Sequence, residues 1–308
     1  MSSERFLAPA EFVKSPEALA KTYAPAQARE YTRWLATHHY ENFHVVTFLL
    51  PRELRQDFYN VYAFCRWADD LGDEIGDTRE SLRLLEWWRG ELDAMYRGTA
   101  KHPVFVALSE TAARHDLPVE PFEDLIRAFV QDQTVTRYLT WEDVLGYCRY
   151  SANPVGRLVL YLCGYRDAER QALSDATCSA LQLANFWQDV SVDLKKDRVY
   201  IPLEAMERHG YTVAELEAAS ETPAFRAVMR DAVERARALF LKGLPLANMV
   251  DRRLGADLEL FSRGGLQILR KIERLNYNVL RRRPRIGKAE RAWLMLGTLA
   301  RRWAARAA

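Results

Sequence analysis

Two segments of this sequence place aspartates four residues apart within stretches that are otherwise apolar and aromatic. Each residue of an α-helix turns the chain by about 100°, so a helical conformation gathers the polar residues of each segment on one face. We call these faces the first stripe and the second stripe. The first spans roughly 60° and carries Tyr62, Arg66, Asp69 and Asp73. The second spans roughly 80° and carries Gln182, Asn185, Asp189 and Asp193. The sequence thus predicts two helices inside the protein, each with an acidic stripe.

The residues around these aspartates favour a metal site over a solvated face. A single aspartate pair is often an exposed acidic face, but such a face more often carries lysines that pair with the acids. Buried carboxylates repel one another and need a cation or hydrogen bonds to compensate them. Mg²⁺ binds one or two carboxylates, keeps several waters and fills its shell with substrate phosphate. Two facing stripes therefore predict a Mg²⁺–diphosphate site in a helical cavity. A redox di-iron site is disfavoured, because Glu41-x-x-His44 is a lone match to its motif.

The rest of the chain repeats its apolar residues at the helical period, without the alternation that strands between hairpin turns would show. Ser15 followed by Pro16 is typical of a helix start. No Gly/Ser linker divides the sequence, so we predict a single all-α domain over residues 1–308. The predicted helices cover residues 16–23, 26–39, 52–74, 79–97, 103–115, 121–137, 141–163, 168–192, 223–242, 247–281 and 289–305.

The composition excludes several classes of protein. A net charge of +2 gives no reason to expect nucleic-acid binding, and no apolar run approaches the ~20 residues of a membrane span. The N-terminus carries Glu4 and Glu11 where a signal peptide would be apolar. The four cysteines show no C-x-x-C spacing. These features predict a cytoplasmic protein with reduced thiols and without a zinc site.

The stretch 281–306 carries nine basic residues against one acid, Glu290, with Trp293, Leu296 and Trp303 interleaved. Two interpretations stay open for it. It is either a solvated terminal helix packed by its apolar side, or a basic amphipathic element that rests on an anionic membrane. The second interpretation predicts peripheral contact with the inner face of a membrane.

Further motifs accompany the stripes. Tyr147-Cys148 precedes Val155-Gly156, Arg198-Val-Tyr-Ile-Pro202 follows the second stripe, and His39-Tyr40-Glu41-Asn42-Phe43 ends a predicted helix. Together with the stripes, these motifs resemble those of the squalene and phytoene synthase family over roughly residues 38–285. More narrowly, residues 39–43, 151–156 and 185–189 look like the hydroxysqualene synthase branch of bacterial hopanoid pathways.

The resemblance implies a class I isoprenoid-synthase fold, an all-α helical bundle around a deep central cavity, and roles for the residues at matching positions. The implied Mg²⁺ ligands are Asp69, Asp73, Asp189 and Asp193, with Asn185 assisting. The implied catalytic residues, which contact the diphosphate or lie near the leaving group, are Tyr62, Arg66 and Tyr147. The implied substrate-binding residues are His39, Tyr40, Asn42, Phe43, Gln182, Gln188, Tyr277 and Arg283.

The chain departs from the family pattern at position 188. Members that join two prenyl diphosphates into phytoene-type products usually have arginine where this chain has Gln188. They also tend to have small hydroxyl residues where it has Tyr40 and Asn42. Losing that arginine removes a cation from the diphosphate region, which favours a substrate with one diphosphate.

The resemblance therefore implies conversion of presqualene diphosphate to hydroxysqualene. In that reaction Mg²⁺-assisted ionisation is followed by rearrangement of a cyclopropylcarbinyl cation and capture by water, so no NADPH is needed. One alternative is condensation of two farnesyl diphosphates to presqualene diphosphate or squalene, or a phytoene-type synthesis. Another is a head-to-tail prenyltransferase, since Asp69-Asp70-x-x-Asp73 reads DDxxD. The last is a catalytically silent scaffold or assembly protein. Contact with neighbouring pathway enzymes is a further expectation.

Overall fold

The computed structural model describes residues 6–38 and 51–304, and these fold almost wholly into α-helices. Short 3₁₀ turns occupy Arg52–Leu54, Leu194–Lys196 and Leu244–Asn248. Extended pairing in the described ranges is limited to one isolated bridge between Arg137 and Val199. The α-helices are Pro9–Phe12, Pro16–Ala20, Pro25–His38, Arg55–Asp73, Thr78–Tyr96, Pro103–His115, Glu120–Gln131, Trp141–Ser151, Asn153–Leu162, Ala168–Asp193, Leu203–Arg208, Val213–Glu217, Pro223–Gly243, Arg252–Arg274 and Lys288–Ala304.

Local chemistry explains where many helices begin. The first backbone N–H groups of a helix have no partner within it, and side-chain oxygens of Ser, Thr or Asp accept from them. Ser15 caps its helix in this way, with Pro16 at the first position as predicted. Asp77, Thr140, Asp167, Thr212, Thr222 and Asp251 also accept such a bond, and Nδ1 of His102 accepts one at the start of Pro103–His115.

The predicted helix 141–163 is in fact two helices, Trp141–Ser151 and Asn153–Leu162. Pro154 has no N–H to donate and its ring crowds the preceding turn, which breaks the helix at Ala152. The break separates Tyr147 from the helix that follows it.

Other predicted bounds were too long. The helix predicted for 121–137 ends at Gln131, since the carbonyl of Thr136 accepts a hydrogen bond from Val199 in an extended pairing. The helix predicted for 247–281 begins only after its cap at Asp251 and ends at Arg274. The segment 193–222, predicted to be irregular, contains the short helices Leu203–Arg208 and Val213–Glu217.

The chain divides into two compact units. The first unit comprises Met1–Thr134 and Arg157–Arg166, and the second comprises Val135–Gly156 and Asp167–Ala308. The first stripe belongs to the first unit and the second stripe to the second. The single domain and the deep cavity expected from the sequence stay predictions.

Aromatic side chains fill the core of the first unit. Trp67 stacks on Trp88 with ring centroids 4.9 Å apart and planes only 6° from parallel. His102 lies edge-on to both indoles, and its buried ring has a pKa well below the usual value because burial disfavours the charged form. Phe64 and Phe105 complete the contacts around Trp88. This packing fixes the rotation of the helix Arg55–Asp73, which carries the first stripe.

The second unit is built around the helix Ala168–Asp193, which carries the second stripe. It packs against Pro223–Gly243 and Arg252–Arg274. Close approach between those two helices depends on Gly265, because a Cβ at this position would overlap the ring of Phe240. The fully buried Trp187 faces this core, so the polar residues on the other side of its helix are directed away from it.

Every helix within residues 6–38 and 51–304 is too short or too polar to cross a membrane.

Candidate functional site

The first stripe follows from the amphipathic pattern of the helix Arg55–Asp73. Phe64, Trp67 and Leu71 are fully buried, so the opposite residues of the helix cannot enter the core. Asp69 is consequently half-buried and Asp73 is exposed. The sequence predicts a stripe inside the protein. Within this unit, however, the end of the stripe at Asp73 is exposed.

Arg66 is the cation of the first stripe and contacts two carboxylates at once. Its Nη1 lies 3.4 Å from Oδ2 of Asp69, and its Nη2 forms an ion pair with Oδ1 of Asp70. Asp70 is almost fully buried, with 6% of its surface exposed. Tyr62 lies close enough to Arg66 for an electrostatic interaction between phenol and guanidinium. Sequence reasoning missed the role of Asp70, although an acid four residues after an arginine on a helix is a sufficient signal for such a pair.

Burial shapes the charge of this stripe. Removal from water raises the pKa of Asp69 to about 6, against the opposing effect of Arg66, and the neighbouring acids Asp73 and Asp70 raise it further. Burial also raises the pKa of Asp70, although Arg66 opposes the shift. One arginine therefore does not fully compensate the carboxylates around it.

The second stripe shows the same imbalance. Burial raises the pKa of Asp193 to about 7, and the charge of Asp189 adds to the shift. Arg198 acts in the opposite direction, which gives the Arg198–Pro202 motif an electrostatic role that was not assigned from the sequence. Both aspartates are half-buried, whereas Asn185, one turn earlier, is exposed.

A segment distant in sequence reaches the second stripe. Arg283 holds both carboxylate oxygens of Asp189: Nε donates to Oδ1, and Nη2 lies 2.8 Å from Oδ2. Beside it, Nε2 of Gln188 donates to the backbone carbonyl of Pro284 over 2.7 Å. The structure thus brings together three residues predicted for the site, Gln188, Asp189 and Arg283.

Tyr147 belongs to an aromatic cluster near the same end of the second stripe. It is buried, with its ring centroid 6.0 Å from Phe186 and 5.8 Å from Tyr200. Phe186 and Tyr200 stack in parallel with centroids 3.6 Å apart. Phe186 lies on the helix that carries the second stripe, so Tyr147 and Tyr200 pack against that helix through its ring.

The remaining predicted residues have mixed outcomes. The ring of Tyr277 lies beneath the guanidinium of Arg230, whose Cζ is 5.5 Å from the ring centroid. Gln182 is half-buried on the second stripe. His39, Tyr40, Asn42 and Phe43 lie outside the described residues. That the two stripes face one another stays a prediction, as do the roles of the residues on them.

The donors on the stripes fit Mg²⁺. In the described ranges no three histidine, cysteine or acidic side chains converge as a protein-only metal cage. Mg²⁺ does not require one, since it takes one or two carboxylates and completes its octahedron with water and phosphate oxygens. Half-buried carboxylates with raised pKa values, such as Asp69 and Asp193, lack positive charge that a divalent cation would supply.

The fold and the stripes first define a class: an all-α protein with an acidic stripe on each of two long helices. Comparison with known sequences then gives the family. The profile of the squalene/phytoene synthase family matches residues 36–290. The chain belongs to the squalene/phytoene synthase family, as its motifs indicated.

Individual relatives support this assignment. The chain is 34% identical over 259 residues to phytoene synthase from Thermus thermophilus, covering 83% of this chain and 87% of that protein. It is also 34% identical over 240 residues to hydroxysqualene synthase from Rhodopseudomonas palustris, covering 77% and 81%. The crystal structure of squalene synthase HpnC from Alicyclobacillus acidocaldarius matches with a TM-score of 0.80 and 46% identity, covering 82% of this chain and 96% of that one. The predicted all-α isoprenoid-synthase fold is confirmed, and the chain is an enzyme of this family with a prenyl diphosphate as the implied substrate.

Proposed function

We propose that this enzyme converts presqualene diphosphate to hydroxysqualene and diphosphate. The observation that supports the proposal most directly is the hydrogen bond that the uncharged side chain of Gln188 makes. Its neutral amide is bonded to the carbonyl of Pro284, at a position where condensing phytoene-type relatives usually have a guanidinium. A site with less positive charge there is better suited to one diphosphate than to two.

Overall identity does not choose between the possible reactions. The phytoene synthase and the hydroxysqualene synthase named above are equally identical to this chain at 34%. The higher identity of 46% to squalene synthase HpnC favours the squalene side of the family. A second hydroxysqualene synthase, from Zymomonas mobilis, is 33% identical. The alternative that the chain condenses two farnesyl diphosphates is therefore kept as an outcome of the test.

The Mg²⁺ ligands of the proposal are Asp69, Asp73, Asp189 and Asp193, with Asn185 assisting. Mg²⁺ supplies electrophilic stabilisation of the charge that grows on the departing diphosphate. No reductant enters the proposed reaction, so NADPH is not part of it.

The side chains of the chain itself perform the remaining tasks. Arg66 and Arg283 provide preorganised N–H donors beside the stripes, where charge develops as the carbon–oxygen bond of the substrate breaks. Tyr62 and Tyr147 are the proposed hydroxyl groups near the leaving oxygen. Aromatic faces around the bound prenyl chain stabilise a carbocation without offering a nucleophile. Rearrangement then opens the cyclopropane ring, and water adds its oxygen to the cation and loses a proton, giving hydroxysqualene.

The test is a parallel incubation with Mg²⁺. The purified protein receives farnesyl diphosphate in one tube and presqualene diphosphate in another, and the organic extracts are analysed by mass spectrometry. Hydroxysqualene from the second tube alone would support the proposal. Presqualene diphosphate, squalene or phytoene-type products from the first tube would replace it with a condensing reaction. The Asp189→Asn variant provides the inactive control.

We also propose that the enzyme contacts an anionic membrane at its cytoplasmic face through the C-terminal helix Lys288–Ala304. Leu294 and Thr298 of this helix are buried, whereas Trp293 and Leu296 are 64% and 67% exposed. Prenyl substrates and products are oily, so an exposed apolar surface within a basic segment is suited to their exchange with a bilayer.

A further inference from the structure

The segment 275–287, which we call the strap, joins the helix Arg252–Arg274 to the helix Lys288–Ala304. The strap has no regular helix of its own in this structure. It leaves the first of these helices through two residues in the left-handed region, Asn276 with φ 51° and Tyr277 with φ 63°. Such angles are uncommon for residues other than glycine, so contacts elsewhere must hold the strap in place.

Several contacts do so at its N-terminal half. Val279 and Leu280 are buried. The side-chain amide of Asn278 donates to a carboxylate oxygen of Glu221. These contacts fix the path of the strap up to the arginines that follow.

The C-terminal half of the strap meets the second stripe through two neighbouring pairs. Gln188 donates to the carbonyl of Pro284, and the adjacent residues Asp189 and Arg283 form the bidentate ion pair. One contact fixes the backbone of the strap, and the other fixes the side chain beside it. The two together set the register of the strap on the stripe.

An exposed ion pair by itself contributes little, because two long side chains must be ordered and solvent screens the charges. The pair between Arg283 and Asp189 is an exposed ion pair of this kind, since 38% of the Arg283 side chain is exposed. The hydrogen bond from Gln188 holds the carbonyl of Pro284, the residue after Arg283. The backbone beside Arg283 is then already restricted, so forming the ion pair costs less conformational entropy. An arginine at position 188 would instead bring a second guanidinium beside Arg283 and repel it.

We propose that Gln188 is a positioning residue, which holds the strap through Pro284 and thereby places the guanidinium of Arg283 where the diphosphate binds. The placement of a diphosphate here rests on the proposed function. Gln188 accordingly acts on diphosphate affinity through Arg283 and not through a contact of its own with the substrate.

The experiment compares Gln188→Met, which has similar length but no donor, with Arg283→Met and the double variant. Gln171→Met, a substitution of the same kind near the other end of the helix, is the matched control. Gln188→Leu, which also lacks the donor and adds no charge, is a second variant in case the methionine variant does not fold. The first readout is the rate of tryptic cleavage after Arg281, Arg282 and Arg285 in ligand-free protein. The second is the dissociation constant for inorganic pyrophosphate in the presence of Mg²⁺, measured by calorimetry.

We expect Gln188→Met to raise both the cleavage rate and the dissociation constant by about five- to tenfold, the effect of one lost hydrogen bond. Gln171→Met should change neither. In the Arg283→Met background, the substitution at 188 should weaken pyrophosphate binding no further, because its effect passes through Arg283. A purely structural role would give additive losses.

Unchanged cleavage in Gln188→Met, or additive losses of affinity, would overturn the inference. Neither readout involves a prenyl chain, so the two proposals fail separately. A condensing enzyme with non-additive losses retains the positioning role, whereas a hydroxysqualene synthase with additive losses does not. A wild-type protein that does not bind pyrophosphate with Mg²⁺ would overturn the positioning role, whereas the product assay alone decides the reaction.

Discussion

Arg66 is the residue on which the charge balance of the first stripe depends, since it contacts Asp69 and Asp70 together. We expect Arg66→Met to lower kcat/KM by about 10²–10³, because it removes preorganised donors from the site where charge develops. Arg79→Met, at an exposed position of another helix, is the control and should retain full activity. Steady-state kinetics with presqualene diphosphate provides the measurement. Equal activity of the two variants would show that Arg66 takes no part in catalysis.

Asp257 is a buried carboxyl group outside both stripes. Only 4% of its surface is exposed, and its Oδ2 has no hydrogen-bond partner within the described part of the chain. Burial raises its pKa to about 7, and the charge of Asp251 adds to the effect. The folded state therefore keeps a proton that the unfolded state releases between pH ~4 and ~7.

Linkage gives the sign of the resulting pH dependence. A carboxyl group with a raised pKa stabilises the fold fully below pH ~4, and this contribution is lost as the pH rises through ~7. We expect Asp257→Asn to be more stable than wild type at pH 8, by roughly 1–4 kcal/mol, and to approach it at pH 4. Urea unfolding at both pH values measures the difference. Parallel pH profiles for the two proteins would show that Asp257 is ionised in the fold.

At the residue scale, the sequence was informative wherever one helix carries the whole pattern. The spacing of Asp69 and Asp73, or of Asp189 and Asp193, is sufficient to place each pair on one face. The bond from Gln188 to Pro284 could not be predicted, because it joins residues 96 positions apart through a strap with no periodic pattern.

At the scale of elements, the helix Arg252–Arg274 offers an internal comparison between two adjacent glycines. A Cβ on Gly264 would meet nothing within 4 Å, whereas one on Gly265 would overlap Phe240. We expect Gly264→Ala to stabilise the protein by about 0.5–1 kcal/mol through helix propensity. Gly265→Ala should destabilise it by about 1–3 kcal/mol or more through overpacking. Chemical denaturation of both variants tests this, and similar stabilities would contradict the close packing of the two helices.

The C-terminal helix is anchored on one side and apolar on the other. Glu290 pairs with Lys271 over 2.7 Å and accepts from Gln267 over 2.6 Å, which leaves Trp293 and Leu296 outside. We expect replacing both by serine to weaken binding to vesicles of anionic phospholipid by about tenfold or more, because their apolar area no longer enters the bilayer.

Co-sedimentation with vesicles measures that binding. The control replaces Leu139 and Leu241, which are 64% and 57% exposed, by serine and should bind as wild type does. Equal binding by all three proteins would leave the C-terminal helix as a solvated element packed by its apolar side.

The elements themselves were largely predictable because apolar periodicity marks them. The residues at which the helices end were less predictable. The helix break at Ala152 depends on Pro154, which the sequence shows, but the helical period of the apolar residues continues past it and predicts one helix over 141–163. The early end at Gln131 depends on the pairing of Thr136 with Val199, a tertiary contact that outweighs local preference.

At the scale of the whole molecule, the two acidic stripes lie in separate compact units, and each stripe has one aspartate with a raised pKa. The pKa values of about 6 for Asp69 and about 7 for Asp193 belong to the metal-free protein. Metal ligands must release their protons, so protons compete with Mg²⁺ below these values. Apparent affinity for Mg²⁺ should therefore rise as the pH increases through this range.

We expect Mg²⁺ with pyrophosphate to raise Tm more at pH 8 than at pH 6, with an apparent affinity about tenfold weaker at the lower pH. Thermal unfolding across a Mg²⁺ titration measures both quantities. Asp193→Asn should bind more weakly at pH 8 and show a smaller dependence on pH. Stabilisation that is independent of pH would argue against these carboxylates as ligands.

The family, and with it the fold, could be read from the motifs because each motif lies within one segment. Whether the two stripes face one another cannot be deduced from either segment alone, and it stays a prediction. The hydrophobic pattern identifies the buried side of each helix, but not the helix that will cover the other side.

The stacked indoles of Trp67 and Trp88 have a spectroscopic consequence. Two nearly parallel rings with centroids 4.9 Å apart couple their electronic transitions, which produces an exciton couplet in circular dichroism. Both rings belong to the first unit, whereas the second unit holds another close pair, Trp141 and Trp187, with ring centroids 5.9 Å apart. The circular dichroism of the tryptophans therefore sums contributions from both units, and a Trp187→Phe variant, which lacks the pair of the second unit, would record the packing of the first unit without any added label.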